Sequence, residues 1–312
     1  MKAFLREYKR VVKYLFAPKE YYKNIQICGW GAHYLPHFIA DRMKMQCERG
    51  KIACFNTYSL STILHYHRAP IKLFITQEST HVVGSRWYQF EDVWLKEPSL
   101  SLTLGYDYAI HPKYMRFPYW LEHVFPCDIT QDQLVAFVDE HNYSKDNTKR
   151  IKDCAFICRK DYFGDRAQLA DLVAQIMPMS YPSDFRHNDD DMRGKFSDDK
   201  IAYLRQFKFN LCPENSNSRG YVTEKVFEAI KAGCVPIYWG NEGYPEPDIL
   251  NPKAIVYLDK DNPEEGLALL RKLYDNPNFY AEFASQPRFQ PGAAEKIYGY
   301  YERLEEKLKT IL

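Results

Sequence analysis

The stretch from Gln206 to Gly240, QFKFNLCPENSNSRGYVTEKVFEAIKAGCVPIYWG, constrains the fold more than any other part of the chain. Phe207, Phe209 and Leu211 alternate with polar residues, which is the period of a strand. A polar run with Gly220 follows and reads as a loop. From Thr223 to Ala232 the period becomes helical: Val226, Phe227 and Ile230 share one face, and Glu224, Glu228 and Lys231 another. Gly233 suits the left-handed position that ends a helix. CVPIYW then reads as a second, more buried strand. Strand, loop, helix, strand is half of a nucleotide-binding α/β unit, whose ligands sit at the carboxyl ends of strands beside helix N-termini.

The loop carries matching chemistry. Glu214, Asn215, Ser216 and Asn217 offer hydrogen-bond groups suited to sugar or ribose hydroxyls, and Tyr221 offers an aromatic face. Lys225 lies in the first turn of the expected helix, where backbone N–H groups already favour a phosphate. A carboxylate for hydroxyls and an ammonium for phosphate, on the adjacent residues Glu224 and Lys225, fit a sugar nucleotide. The competing reading of Glu and Lys at a helix start is a solvated cap.

This stretch resembles the donor-binding motif of the α1,3-fucosyltransferases of glycosyltransferase family 10, which use GDP-fucose. FKFNLCPENS follows the family's strand-and-ENS pattern, with Pro213 where an aromatic is usual, and GYVTEKVFEAIKAGCVPIYWG follows it nearly throughout. The resemblance is firm over residues 150–250 and thinner upstream. It implies a bacterial-type, two-domain sugar-nucleotide transferase in which Tyr221, Glu224 and Lys225 contact the donor, along with Asn215 and Ser216 of the ENS run.

With 312 residues, two domains are expected, since single cores seldom grow beyond ~250–300 residues. Lys+Arg is 42 against Asp+Glu 41, a balance that leaves no electrostatic footprint for nucleic acid. The 8 Cys form no C-x-x-C pair and read as small buried hydrophobes in a reducing compartment. No secretory signal is read and no apolar run approaches ~18 residues, so the expected location is cytoplasmic. Residues 1–24 carry seven basic residues against Glu7 and Glu20, with Phe4, Leu5, Tyr8, Val11, Val12, Leu15 and Phe16 largely on one helical face. Such a helix either lies on the anionic inner face of a membrane or packs against the protein itself.

Along the chain, NIQIC, KIACFNTYS and IKLFITQES read as strands, LSLTLGYDYA as a loop or strand and YMRFPYWLE as an aromatic strand-like segment. YLPHFIADRMKM and ITQDQLVAFVDEHN read as helices, and SKDNTKR (144–150) as the linker. Glu78 closes an apolar strand, a place where a carboxylate is expected to face a cleft and can serve as a general base. The resemblance places the catalytic base at a Glu-Ser pair of this kind; QEST has Thr80 where the family has proline. KDCAFICR opens the second α/β unit, and RAQLADLVAQI is its helix. The resemblance puts a diphosphate-contacting arginine at the position of Arg166, with Arg159 the alternative, because CRKDYFGDR lacks the family's Ser-Asn. Asp189, Asp190 and Asp191 form the D-x-D pattern by which other glycosyltransferases hold a metal, but they lie in a charged stretch that reads as a solvated loop. The terminal AAEKIYGYYERLEEKLKTIL is an amphipathic helix, expected to pack back on the first domain.

The expected fold is α/β: two Rossmann-like domains facing across a cleft, the GT-B type. The domains are expected at 25–147 and 148–292, with the terminal helix at 293–312. The expected reaction is inverting transfer of fucose from GDP-fucose to a hydroxyl of a glycan acceptor, with Glu78 as base, cations stabilising the leaving diphosphate and no metal or cofactor required. The rival readings are a metal-dependent transferase built on Asp189 and Asp191, and a non-catalytic nucleotide- or glycan-binding protein.

Overall fold

The computed structural model describes Val12 and residues 18–29, 32–56, 61–79, 97–143 and 150–312. The chain divides into two compact units: residues 1–129 with 299–312, and residues 130–298.

The first unit is built on a six-stranded sheet in sequential order: β1 (Glu20–Tyr22), β2 (Ile25–Ile27), β3 (Ile52–Asn56), β4 (Ile71–Ile75), β5 (Leu102–Gly105) and β6 (Tyr114–Arg116). β2 to β6 run parallel. β3 and β5 are buried along their whole length, which explains why they read as apolar runs: both faces of a parallel sheet are covered. The antiparallel β1–β2 hairpin departs from the helix expected over residues 1–24. Lys23 and Asn24, its two central residues, have φ of 43° and 72°, the left-handed pair that turns a two-residue hairpin. The rest of that segment, apart from Val12, Pro18 and Lys19, lies outside the described residues. The aromatic segment 114–122 is also not one strand. Pro118 cannot continue the ladder, so β6 ends at Arg116 and a short helix, Tyr119–Val124, follows.

Within this unit the terminal helix (Ala293–Lys309) contributes its later part. Tyr301, fully buried, donates to the Leu121 carbonyl at 3.2 Å, and Arg42 pairs with Glu305.

The second unit holds a five-stranded, all-parallel sheet in the order β11-β10-β9-β7-β8. Its strands are β7 (Lys152–Ala155), β8 (Met179–Ser180), β9 (Phe207–Pro213), β10 (Val235–Trp239) and β11 (Val256–Tyr257). The chain leaves β7 toward β8 on one side and returns to β9 on the other. That reversal is a topological switch point, and the crevice outside the carboxyl ends of β7 and β9 is where such sheets hold ligands. The helix Gln131–Tyr143 belongs to this unit, not to the first as the expected boundary at 147 had it. Phe137 packs edge-on against Phe289 at 5.7 Å, and the Asn142 carboxamide accepts from the Phe289 N–H at 2.8 Å. The linker expected at 144–150 falls almost wholly outside the described residues.

The acidic triplet is a solvated loop only at Asp190. Lys152 of β7 donates to Asp189 at 2.8 Å and to Asp191 at 3.0 Å, and Tyr203 donates to Asp189 at 2.9 Å. The pair neutralises a lysine on the sheet's amino-terminal side. All eight cysteines are free thiols, six of them buried. Among the described residues no helix is long and apolar enough to cross a membrane.

Candidate active site

The second unit assembles its polar groups at the switch point. β9 is buried except at Lys208 and delivers Glu214 one residue beyond its end. Glu214 is fully buried, and its N–H donates to the Trp239 carbonyl at 2.9 Å, which extends the β9–β10 pairing. Its carboxylate organises the start of the next helix, Glu224–Lys231. One oxygen accepts from the Thr223 N–H at 2.8 Å; the other accepts from the Thr223 hydroxyl at 2.8 Å and from the Lys225 ammonium at 2.9 Å. The Thr223 hydroxyl also accepts from Lys225 at 2.8 Å.

Two consequences follow. Thr223 is the N-cap residue, but its hydroxyl is turned to Glu214 and makes no cap bond, so no N-cap side chain competes with an anion at this helix start. Lys225 is held as a cation. Burial pushes its ammonium down and the nearby Arg166 guanidinium adds to that, but Glu214 and Glu224 outweigh both and hold it above the ordinary lysine value. Gly240 completes the packing behind Glu214. At φ +143° it sits where an added Cβ would lie 2.7 Å from Glu214 Cγ and 2.9 Å from the Tyr238 hydroxyl.

Arg166 reaches the same place from β7. It donates to the Lys160 carbonyl at 2.8 Å and to the Asn215 side-chain oxygen, so one bond spans the crevice between the two strand ends. The helix Asp165–Ala174 that bears it does not offer a free N-terminus. Asp161 occupies it, accepting from Phe163 N–H, Gly164 N–H and Ala167 N–H at 3.3, 3.0 and 2.8 Å. The side chain of Arg166, not the helix end, is therefore the group here that is suited to a phosphate. Arg159 is exposed and outside this network.

The structure thus brings together Arg166, Asn215, Glu224 and Lys225, as the sequence suggests, and alters four of the other assignments. Glu214 is not a ligand-facing hydroxyl binder but the buried counter-charge of Lys225. Ser216 is half-buried and shares a 2.9 Å bond with Ser218, while Asn217 accepts from the Glu242 N–H at 2.6 Å, so both also fix the loop. Tyr221 presents no open face: its ring is 1% exposed and anchors the loop to the core. Thr223 was missed; only its spacing from Glu214 and Lys225, on a folded turn, reveals it.

In the first unit, Glu78 stands half-buried in the turn after β4, at the carboxyl end of a central strand. Beside it runs a polar chain that no sequence pattern announces. The Asn56 side-chain amide, at the end of β3, donates to Gln77 Oε1 at 2.6 Å, and Gln77 Nε2 donates to Glu122 Oε1. Among the described residues no group of three or more His, Cys, Asp or Glu side chains converges as a metal site.

Two α/β units with parallel sheets and a phosphate-suited switch point define a GT-B type sugar-nucleotide fold. Residues 147–291 match the family model of glycosyltransferase family 10 (fucosyltransferase), C-terminal region. It is 38% identical over 84 residues to the alpha-(1,3)-fucosyltransferase FucT of Helicobacter pylori, covering 27% of this chain and 17% of that protein. It is 28% identical over 132 residues to alpha-(1,3)-fucosyltransferase B of Drosophila melanogaster, covering 40% of this chain and 28% of that one. The matched stretches therefore span less than a third of either relative. A solved α1,3-fucosyltransferase structure superposes with a TM-score of 0.56 at 18% identity over 93% of both chains, a likeness of fold. Another, solved with GDP-fucose, gives 0.50 at 20% identity over 78% of this chain and 79% of that one.

Proposed function

We propose that this protein is an inverting glycosyltransferase that moves L-fucose from GDP-fucose to a hydroxyl of a glycan acceptor, in α1,3 linkage on a GlcNAc/LacNAc-type or lipopolysaccharide acceptor. The observation that carries the reading is the Glu214–Thr223–Lys225 cluster beside the Arg166–Asn215 bond, inside the family-matched domain. Glu214 keeps Lys225 charged and fixed, and Arg166 reaches in from the neighbouring strand. Two preorganised cations beside an open helix N-terminus suit the negative charge that grows on a departing diphosphate. Because they supply that charge, the reaction as proposed needs no divalent ion. Glu78 takes the proton of the acceptor hydroxyl as its oxygen attacks the anomeric carbon.

The proposed place of action is the cytoplasm, at the inner face of the membrane when residues 1–24 engage anionic lipid. Titration calorimetry with GDP, GDP-fucose, UDP and CMP tests the donor assignment. Guanine nucleotides are expected to bind well above the pyrimidine ones; equal or tighter binding of UDP overturns it. Transfer assayed with excess chelator is expected to persist, and its loss would favour a metal-dependent mechanism.

A further inference from the structure

The three residues Asn56, Gln77 and Glu122 come from three different elements of the first unit: the end of β3, the turn after β4, and the helix Tyr119–Val124. Asn56 is fully buried and Gln77 is 8% exposed. Their bonds fix both ends of one carboxamide. The Gln77 oxygen is held by Asn56, and its nitrogen by Glu122. Thr76, one residue earlier, donates its N–H to the Leu104 carbonyl at 2.8 Å, and Ser79 is fully buried. Glu78 is thus the one half-buried residue in a segment pinned on either side.

Glu122 is an unusual end to such a chain. Among the described residues its Oε2 is buried with no hydrogen-bond partner, and Gln77 is the one donor to its Oε1. A buried carboxylate with one donor is costly, whereas a neutral carboxyl keeps a carbonyl oxygen for Gln77 and leaves only an uncharged hydroxyl unpaired, the smaller cost. We propose that Glu122 is a positioning residue for Glu78: through Gln77, backed by Asn56, it fixes the strand-end turn that carries the base. This deepens the functional reading above and rests on it.

The charge state supports the geometry. Burial, opposed only by the Gln77 bond, pushes the Glu122 carboxyl up to about 8, so it holds its proton at neutral pH. Around it, the Tyr34 hydroxyl feels its charge, with Tyr301 and Cys127 behind Tyr34. Burial pushes all three upward, so none of them changes charge in the window where Glu122 does. Among the described residues no cation is paired with Glu122, so above that window its charge is unmet and the turn loses its fixed partner.

The test measures kcat and donor KM for Glu78→Gln, Glu122→Ala, Glu122→Gln and Gln77→Met from about pH 6 to about pH 9. Glu122→Ala and Gln77→Met are expected to lower kcat about 10- to 100-fold with donor KM unchanged, as loss of alignment does. Glu122→Gln should recover most of that loss at neutral pH, because a carboxamide imitates the neutral acid, and should flatten the fall in rate of the wild type above about pH 8. Full kcat in folded Glu122→Ala and Gln77→Met, with Glu78→Gln inactive, overturns the positioning role and leaves the base in place. Equal loss in Glu122→Gln and Glu122→Ala also overturns it. An active Glu78→Gln removes the base and this inference with it. Should Glu122→Ala fail to fold, Gln77→Met, close to glutamine in volume, decides alone.

Discussion

At the scale of single residues, the proposed donor side turns on one charge pair, a buried Glu214 with a part-buried Lys225. Lys225→Ala strips Glu214 of its counter-charge, and a broken buried pair costs about 3–5 kcal/mol. That variant is expected to lose both stability and GDP binding. Replacing both partners, Glu214→Gln with Lys225→Met, should recover much of the thermal stability while leaving nucleotide binding lost. Melting curves and calorimetry on the same samples separate the two effects; recovery of GDP binding in the double variant would remove Lys225 from the phosphate site. Arg166→Ala should slow turnover about 10- to 150-fold, the worth of a charged hydrogen bond of roughly 1.5–3 kcal/mol, and Arg159→Ala should not. Glu122 makes a different prediction. Its carboxyl is raised from 4.5 to about 8 in the fold, so between those values the unfolded chain gives up a proton that the folded one keeps. Stability therefore falls as pH rises through that window, by up to about 1.4 kcal/mol per unit, and levels off above it. Glu122→Gln should match the wild type in melting temperature near pH 4 and exceed it increasingly up to pH 8. A constant difference across that range would show that Glu122 is ionised in the fold. Residue roles were the least legible part of the sequence. Lys225 and Arg166 announce themselves by charge at expected helix starts. Glu214 and Glu122 do not, because a carboxylate that supports another residue has the same letter as one that meets a ligand. Only the partners tell them apart.

At the scale of elements, most of the chain was readable because its strands are buried on both faces and its helices on one. β9, the following helix and β10 sit where the apolar pattern places them. The failures have local causes. β1–β2 is a hairpin because two left-handed residues turn it, and lysine at such a position gives no warning. The 114–122 segment breaks at Pro118, whose meaning was masked by the aromatics around it. Gly240 is the element-scale counterpart: it ends β10 where the backbone must pass against Glu214. Gly240→Ala forces a Cβ to within 2.7 Å of the Glu214 side chain on a backbone at φ +143°. Strained backbone of this kind costs roughly 1–3 kcal/mol before any clash is counted. The variant is expected to melt lower and to bind GDP more weakly, since Glu214 must shift and Lys225 with it. Unchanged GDP affinity in a destabilised Gly240→Ala protein would show that the Glu214 cluster tolerates displacement.

At the scale of the whole molecule, the proposed chemistry is divided between two units. Arg166, Asn215, Thr223 and Lys225 all lie in residues 130–298, and Glu78, Gln77 and Glu122 all lie in the other unit. A reaction built this way makes donor binding and proton removal separable by mutation. Glu78→Gln keeps the side chain's size and its capacity to hydrogen-bond but not its basicity. Loss of a general base typically costs 10²–10⁴ in rate. Glu78→Gln is therefore expected to slow transfer by about that factor, with GDP and GDP-fucose bound as tightly as before, because no donor-side residue shares its unit. Lys225→Ala should show the opposite signature, with donor affinity lost first. The measurement pairs calorimetric GDP affinity with initial transfer rates for each variant. Weakened GDP binding in folded Glu78→Gln would contradict the division of labour itself, whatever became of the rate. Intact GDP binding with near-normal transfer would instead leave the division standing and move the base to another carboxylate of the first unit, Asp107 being the next to test.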